Sequence, residues 1–318
     1  MYYFVVNKYG GRGKSVGRWN IVEKELKRRN VAYKVIFSEY RGHAKEIASE
    51  LTKTSSDEKE GKDIVIIGGD GTINEFLNGV EDFESFRLAL IPAGSGNDFS
   101  RGLKLPRHNP RKSIRNILSH SADSGKEKKI DIGLVKTNPD TAEEKQYRFC
   151  ISAGLGLDAI ICQKNETSKI KTLLNRLHIG KLSYIAITLQ TFFTMKSSLV
   201  KVKFDDEAEQ TFDRLIFMSA MNFKAEGGGV PMNPKARADD GKLSACIAFG
   251  ISNFMAFLKF PFVIMGLHSL LKGFYFKDFS VMNASSEERF VVHTDGEYGG
   301  TVNSIRIECE KAKLRIIL

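Results

Sequence analysis

Four short segments combine glycines with polar or charged side chains in a way that suits phosphate and metal chemistry. Gly68-Gly69-Asp70-Gly71-Thr72 follows the apolar run Asp63–Ile67, with Asn74 and Glu75 beyond it. Glycines let a backbone approach a ligand closely, and a plain capped turn would need one of them rather than three. Pro92-Ala93-Gly94-Ser95-Gly96-Asn97-Asp98-Phe99 follows a second apolar run, RLALI, and its Asn–Asp pair suits a loop-to-helix cap. If the two runs are neighbouring strands, Asp70 and Asp98 converge on one crevice. Paired carboxylates beside a phosphate cradle are natural magnesium ligands, directly or through water. Gly10-Gly11-Arg12-Gly13-Lys14 offers amides for phosphate at a helix start. It lacks the GxxxxGK(S/T) spacing of a Walker A loop, and a plain strand–helix turn would read the same. Asp295-Gly296-Glu297-Tyr298-Gly299-Gly300 delivers two carboxylates into a turn, which an ordinary hairpin also uses.

The elements that must position these loops follow from hydrophobic patterning. Strands are predicted at Tyr2–Asn7, Val31–Ser38, Asp63–Ile67 and Arg87–Pro92, alternating with helices through about Arg29, over His43–Thr52 and from about Ile73. Continuous apolar runs such as DIVII suit strands buried on both faces, so the first third reads as a three-layer α/β/α domain. Past Lys129 the rhythm changes. Strands are predicted at Ile130–Lys136, Gln146–Ala153, Val200–Phe204, Arg214–Asn222, Leu243–Phe249, Arg289–Thr294, Ser304–Cys309 and Leu314–Leu318. Helical patterns interrupt them at Lys169–Lys196 and Ser252–Leu271. Many strands with few crossover helices predict a β-sandwich-like second domain. The expected division is residues 1–129 plus a C-terminal return at 305–318, then 130–304.

The 318 residues carry 48 Lys+Arg against 38 Asp+Glu, a net charge of +10, with 42% hydrophobic and 27% charged residues. These are globular proportions, which exclude disordered, collagenous and coiled-coil classes. The basic excess implies an anionic partner. Cysteines 150, 162, 246 and 309 form no CxxC pair and suit a reducing cytoplasm. The apolar part of the first residues is too short for a signal peptide. The apolar stretches Leu182–Met195 and Phe254–Phe276 are too short or too broken by Lys259, Pro261 and Lys272 to span a bilayer, which takes about 20 residues. A soluble cytoplasmic protein is expected.

Taken together, GGDGT at 68–72, PAGSGNDF at 92–99, Gly227-Gly228-Gly229 with PKARADDGKL at 234–243, and DGEYGG at 295–300 resemble the signature blocks of the diacylglycerol kinase catalytic-domain family, specifically its soluble bacterial lipid kinases. GGDGT alone is shared with NAD and sphingosine kinases; the four blocks in this order are specific. The resemblance spans essentially the whole chain. It implies ATP- and magnesium-dependent phosphorylation of a lipid hydroxyl, by a nucleotide-binding α/β domain joined to a β-sandwich whose last strand returns to the first domain. It places nucleotide contacts on Asn7, Gly10, Gly11, Ser38, Gly68, Gly69, Asp70, Gly71, Thr72, Asn74 and Ser95. Asn7-Lys8 stands where the family usually has Asn-Pro, and Ser38 and Ser95 stand where relatives often carry Thr. The resemblance further implies Glu297 as proton acceptor, with Asp295 as alternative or orienting partner. Asp70 and Asp98 would hold magnesium through water. A second magnesium would sit on the Asp240 carboxylate and the carbonyls of Arg237 and Lys242, although Asp239-Asp240-Gly241 also reads as a solvated turn. Bacterial relatives are commonly dimers, so a homodimer is an open expectation.

The charge is not evenly spread. Residues 101–129 hold nine Lys/Arg against two acids, and residues 164–203 hold eight against one, each summing to +7. Both lie beside apolar residues (Leu173, Leu174, Leu177 and Ile179 in one, with Phe192 and Phe193 further along) and suit docking to an anionic membrane surface. For Leu182–Met195 a helix that packs its apolar face internally and solvates its charges fits equally. For Phe254–Phe276, burial or an oligomer contact is the expectation. The competing activities are phosphorylation of NAD, or of ceramide or a sphingoid base, and binding of nucleotide without turnover. No RRM, KH or helix-turn-helix signature supports nucleic-acid binding.

Overall fold

The structure, a computed structural model, describes residues 1–11, 13–53, 61–121, 127–167, 188–196 and 198–318. They divide into two compact units. The first comprises Met1–Ile132, Gly227–Gly229 and Glu310–Leu318; the second comprises Gly133–Glu226 and Val230–Cys309.

In the first unit, β1 (Tyr2–Asn7), α1 (Lys14–Arg28), β2 (Tyr33–Ser38), α2 (His43–Thr52), β3 (Lys62–Gly68), α3 (Asp70–Leu77) and β4 (Phe86–Pro92) alternate, followed by α4 (Asp98–Gly102) and α5 (Pro110–Ser121). The strands pair in parallel in the order β4-β3-β1-β2. The C-terminal residues add to β4 in parallel, with Ile316 opposite Leu88. Side chains alternate across the sheet. Phe4, Val6, Val65 and Ile67 meet Trp19, Leu26 and Ile117 on one face, where α1 packs on α5. Ala44, Ile47, Ile73 and Phe76 are buried by α2 and α3, which pack on each other. Burial on both faces explains why β3 and β4 read as unbroken apolar runs. Helix α3 begins at Asp70, directly off β3, rather than at Ile73 as predicted.

In this unit part of the basic segment 101–129 is engaged, residues 122–126 lying outside the described residues. Ile114 and Ile117 anchor α5 in the core. Arg115 joins Arg28 and Arg29 on the Glu25 carboxylate, and these guanidinium groups hold Glu25 far below the usual carboxylate range. Arg101 pairs with Asp98. Lys104, Arg111 and Lys112 are exposed.

The second unit holds the end of β5 (Glu127–Thr137), then β6 (Lys145–Phe149), β7 (Ser152–Gly156), α6 (Leu157–Thr167), β8 (Ser198–Phe204), β9 (Gln210–Leu215), β10 (Phe217–Met221), β11 (Leu243–Ala248), α7 (Asn253–Ile264), β12 (Phe274–Phe279), β13 (Val281–Thr294) and, as far as Cys309, β14 (Glu297–Ile317). Antiparallel pairing runs β12-β11-β10-β7-β13-β14, and β8 and β9 extend from β13. The first half of β13 pairs with β8 and its end pairs with β7, with a register shift between Ser285 and Phe290. A strand that changes partner at an irregularity is how sandwich sheets turn corners. The layers enclose Phe149, Leu155, Val202, Phe204, Ile247 and Phe279. The chain is therefore an α/β unit with a β-sandwich-like unit, as predicted.

Several elements differ from the patterning. The single strand expected at Gln146–Ala153 is two strands, because the amides of Cys150 and Ile151 bond the Asp295 side chain instead of a neighbouring strand. The strand expected at Arg214–Asn222 is split at Ile216, whose N–H bonds the Ala248 carbonyl. The two C-terminal strands are one, β14, with Ala312 at positive φ inside it. The helix predicted to Leu271 ends at Ile264, just before Gly266 at φ 71°; Phe274–Phe279 is strand β12. Of the predicted helix Lys169–Lys196, residues 188–194 are helical, while Leu173, Leu174, Leu177 and Ile179 lie outside the described residues. Helix α6 was not predicted. Among the described residues, no helix is long and apolar enough to cross a membrane.

Candidate functional site

The three glycine-rich loops of the first unit leave the carboxyl ends of parallel strands, where open α/β sheets bind ligands. Asn7 ends β1 opposite Ser38, which ends β2, and Gly68 ends β3 opposite Pro92. Asn7 Nδ2 donates to Thr72 Oγ1 at 2.8 Å, tying the first loop to the second. Gly10 N–H returns to the Asn7 carbonyl at 3.0 Å, and Gly11 follows at φ 58°. Arg12 lies outside the described residues. The second and third loops touch glycine on glycine: a Cβ on Gly69 would lie 2.8 Å from Gly94 Cα, and one on Gly94 would lie 2.6 Å from Gly69 Cα. Side chains are excluded there, leaving a floor of bare backbone. Helix α3 starts on this floor with no side-chain cap; Gly71, Thr72 and Asn74 lie in its first turns, and Ser95 is exposed on the facing loop.

Asp70 and Asp98 do converge, one carboxylate oxygen of each lying near Gly96. Each is also built into the loops. Asp70 accepts from Asp98 N at 3.0 Å and Phe99 N at 3.2 Å, capping α4. Asp98 accepts from Gly228 N at 2.7 Å and pairs with Arg101. Burial pushes the Asp98 carboxyl up, against the opposing pull of the Gly228 N–H, Arg101 and Arg107. Gly227, Gly228 and Gly229 all have positive φ. Asn97, absent from the predicted set, sits at φ 53° and closes its loop by bonding Gly94 N at 2.9 Å and Gly94 O at 2.7 Å.

In the second unit, Asp295 and Gly296 form the turn between β13 and β14, both at positive φ. Asp295 Oδ1 accepts from Ile151 N at 2.7 Å and Ser152 N at 3.1 Å, and Oδ2 from Cys150 N at 3.0 Å. The carboxylate thus clamps three successive amides of the β6–β7 link. Glu297 opens β14 opposite Thr294, half-buried.

Behind this turn lies a polar cluster that the sequence reading missed. His293 Nε2 meets Asp158 Oδ2 at 3.1 Å. Ser219 Oγ donates to the same oxygen at 2.9 Å, and Ser152 Oγ bonds Glu226. Asp158, Glu226 and His293 lie within 4.8 Å of one another. A Cβ on Gly154 would fall 2.4 Å from Asp158 Oδ2 and 2.7 Å from His293 Nε2, so glycine makes this pair possible. Burial works to lower the imidazole pKa, but the adjacent Asp158 carboxylate, with Glu226 and Asp295, overturns it and holds His293 at about 9. The imidazolium supplies the positive charge that two adjacent carboxylates require. Only His293's place two residues before Asp295 hinted at it; Asp158 is 135 residues away.

The pair makes stability pH-dependent with a definite sign. A histidine raised from about 6.5 in the unfolded chain to about 9 contributes fully below about pH 6.5, and the contribution is lost as pH rises through about 9, about 3 kcal/mol in all. Thermal unfolding across that window should show the wild-type Tm falling more steeply than that of Asp158→Asn; parallel slopes would refute the ion pair.

The Asp239-Asp240-Gly241 segment folds as a tight turn. Asp240 Oδ1 accepts from Lys242 N at 3.1 Å, and Arg237 Nε bonds Asp239 at 3.3 Å.

Comparison with known proteins bears on this geometry. Residues 1–135 match the family described as diacylglycerol kinase catalytic domain. Residues 152–318 match the YegS C-terminal NAD kinase beta sandwich-like domain. The chain is 24% identical over 315 residues to YtlR of Bacillus subtilis (strain 168), covering 99% of this chain and 98% of that one. It is 27% identical over 239 residues to the diacylglycerol kinase of the same organism, covering 74% and 71%. The crystal structure of a diacylglycerol kinase from Bacillus anthracis str. Sterne superposes with TM-score 0.72 at 22% identity, covering 100% of this chain and 96% of that chain.

Proposed function

The chain belongs to the diacylglycerol kinase family of lipid-kinase-type phosphotransferases, and from that premise we propose that it transfers the γ-phosphoryl group of ATP to the primary hydroxyl of a diacylglycerol, yielding phosphatidic acid. The observation that carries this reading is the glycine-on-glycine floor between Gly69 and Gly94, with Asp70 and Asp98 beside it. A surface without side chains, at strand carboxyl ends and an uncapped helix start, fits a polyphosphate. We assign nucleotide contacts around it to Asn7, Gly10, Gly11, Ser38, Gly68, Gly71, Thr72, Asn74 and Ser95. Asp70 and Asp98 are the residues that would hold magnesium through water, which supplies charge neutralisation at the phosphates when bound. Asp240, with the Arg237 and Lys242 carbonyls, would hold a second magnesium in this reading.

In this reading the first unit takes nucleotide and the second takes lipid. Glu297 is the base and Asp295 the clamp that holds its turn, because the Asp295 oxygens already serve three amides. As the lipid hydroxyl oxygen forms its bond to the γ-phosphorus, its proton passes to Glu297, and the bond to the bridging oxygen breaks to release ADP.

Purified protein incubated with labelled ATP, magnesium and a total lipid extract should place label on diacylglycerol in the organic phase, with mass identification of phosphatidic acid. Label on ceramide or a sphingoid base would replace the substrate while keeping the chemistry. Label on NAD, with none in the organic phase, would overturn the lipid reading. Undiminished transfer in the presence of chelator would remove the metal roles.

A further inference from the structure

Helix α7 and the turn after it present an apolar face outward. Its inner residues Ala256 and Val263 are buried, with Phe257 and Phe260 packed against the same cluster. The outer residues Phe254, Leu258, Phe262 and Met265 recur at spacings of four, four and three, one stripe along a helix. Phe254 is 59% exposed, Leu258 48% and Met265 57%, and Leu270 beyond the helix reaches 82%. The patch continues onto residues 188–196: Phe193 is 56% exposed with its ring 5.5 Å from that of Phe257, and Asn253 Nδ2 bonds the Met195 carbonyl at 2.9 Å. Of the two expectations for Phe254–Phe276, burial or an oligomer contact, burial holds for the inner face of α7 and not for this outer one. Contiguous exposed apolar surface of this kind marks an interaction site.

The charge around the patch identifies what covers it. From Gly241 to Lys277 the chain contains no Asp or Glu. Lys259 Nζ lies 2.5 Å from the Lys272 carbonyl, and Lys196 and Lys272 are exposed beside the stripe. A two-fold contact of this segment with its own copy would offer these lysines no carboxylate from residues 241–277. An anionic bilayer instead offers hydrocarbon to the stripe and phosphates to its rim.

We propose that the α7 face, from Phe254 through Leu270 with Phe193, is the surface by which the protein seats on an anionic lipid bilayer, inserting side chains without spanning it. This rests on the reading that the substrate is a membrane lipid, and it names where that membrane is met.

The test compares wild type with the double variant Phe254→Ser/Leu258→Ser, both positions being exposed. Co-sedimentation uses phosphatidylcholine vesicles with and without phosphatidylglycerol. Turnover is measured on vesicle-embedded and on water-soluble short-chain diacylglycerol, and mass by analytical ultracentrifugation. The variant should lose vesicle affinity on the order of 100-fold, since each large side chain removed from hydrocarbon is worth about tenfold. Turnover on vesicles should fall in parallel while turnover on short-chain substrate and the sedimenting mass stay unchanged. Unchanged vesicle affinity, or wild-type binding indifferent to phosphatidylglycerol, would overturn the proposal. So would a wild-type dimer that the variant dissociates, which would assign the face to a second copy. Vesicle binding lost in the variant, in a protein that phosphorylates no lipid in either form, would retain the docking face and reject the kinase substrate.

Discussion

Glu297→Gln is expected to lower kcat on diacylglycerol by about 10²–10⁴-fold, the contribution of a positioned general base, with Tm within a degree or two of wild type. Glutamine keeps the shape and loses the basic oxygen, and Glu297 sits half-buried at a strand start. The informative contrast is Asp295→Asn. That side chain holds Cys150, Ile151 and Ser152 N–H at 3.0, 2.7 and 3.1 Å. An amide offers one acceptor oxygen and turns its NH2 towards a backbone donor, at a cost of about 3 kcal/mol. Asp295→Asn should therefore lower Tm and activity together, whereas Glu297→Gln should lower activity alone. Wild-type turnover by Glu297→Gln on the identified lipid would reject Glu297 as base. A stable, inactive Asp295→Asn beside an active Glu297→Gln would exchange the two roles.

The second large effect is expected from Gly94→Ala. The added methyl carbon would lie 2.6 Å from Gly69 Cα and 3.0 Å from Asn97 Oδ1. Backbone on one side and the loop's own closing side chain on the other leave it nowhere to go. Overpacking of this kind costs about 1–3 kcal/mol, and here it pries apart the two loops that form the floor. ATP affinity by calorimetry should fall on the order of 100-fold, the equivalent of about 2.7 kcal/mol. Gly17→Ala is the control. It lies inside α1 with nothing within 4 Å of the added carbon, and should raise stability by about 0.5–1 kcal/mol. Equal ATP affinity for Gly94→Ala and wild type would mean that the floor does not carry nucleotide.

The parts legible in the residues alone share a physical property: they are local or doubly constrained. Strands β3 and β4 were readable because a strand buried on both faces has no polar positions to break its run. The glycine loops were readable because only close backbone approach accounts for three glycines around one carboxylate. Convergence of Asp70 and Asp98 followed once the strands were neighbours, since parallel strands put their carboxyl ends side by side. What resisted reading depended on partners distant in the chain. Asp295 looked like half of a catalytic pair, and its capture of three amides some 145 residues earlier has no local signature. The same capture broke a predicted strand in two.

The His293–Asp158 pair and the α7 face show the same limit in other forms. A histidine on an inward strand position and an aspartate at a helix start are each ordinary, and only their meeting over Gly154 makes a buried charged pair. Helix α7 is apolar on both sides, so periodicity marks no outward face; which side met solvent depended on where Ala256 and Val263 found their neighbours. The sequence by itself determined the α/β and sandwich-like architecture and the glycine loops at the strand ends, because backbone sterics and hydrophobic alternation act over a few residues. Only the tertiary structure decided that Asp295 clamps amides, that His293 is held charged, and which side of α7 is exposed, because those outcomes are set by contacts between segments that chain order leaves far apart.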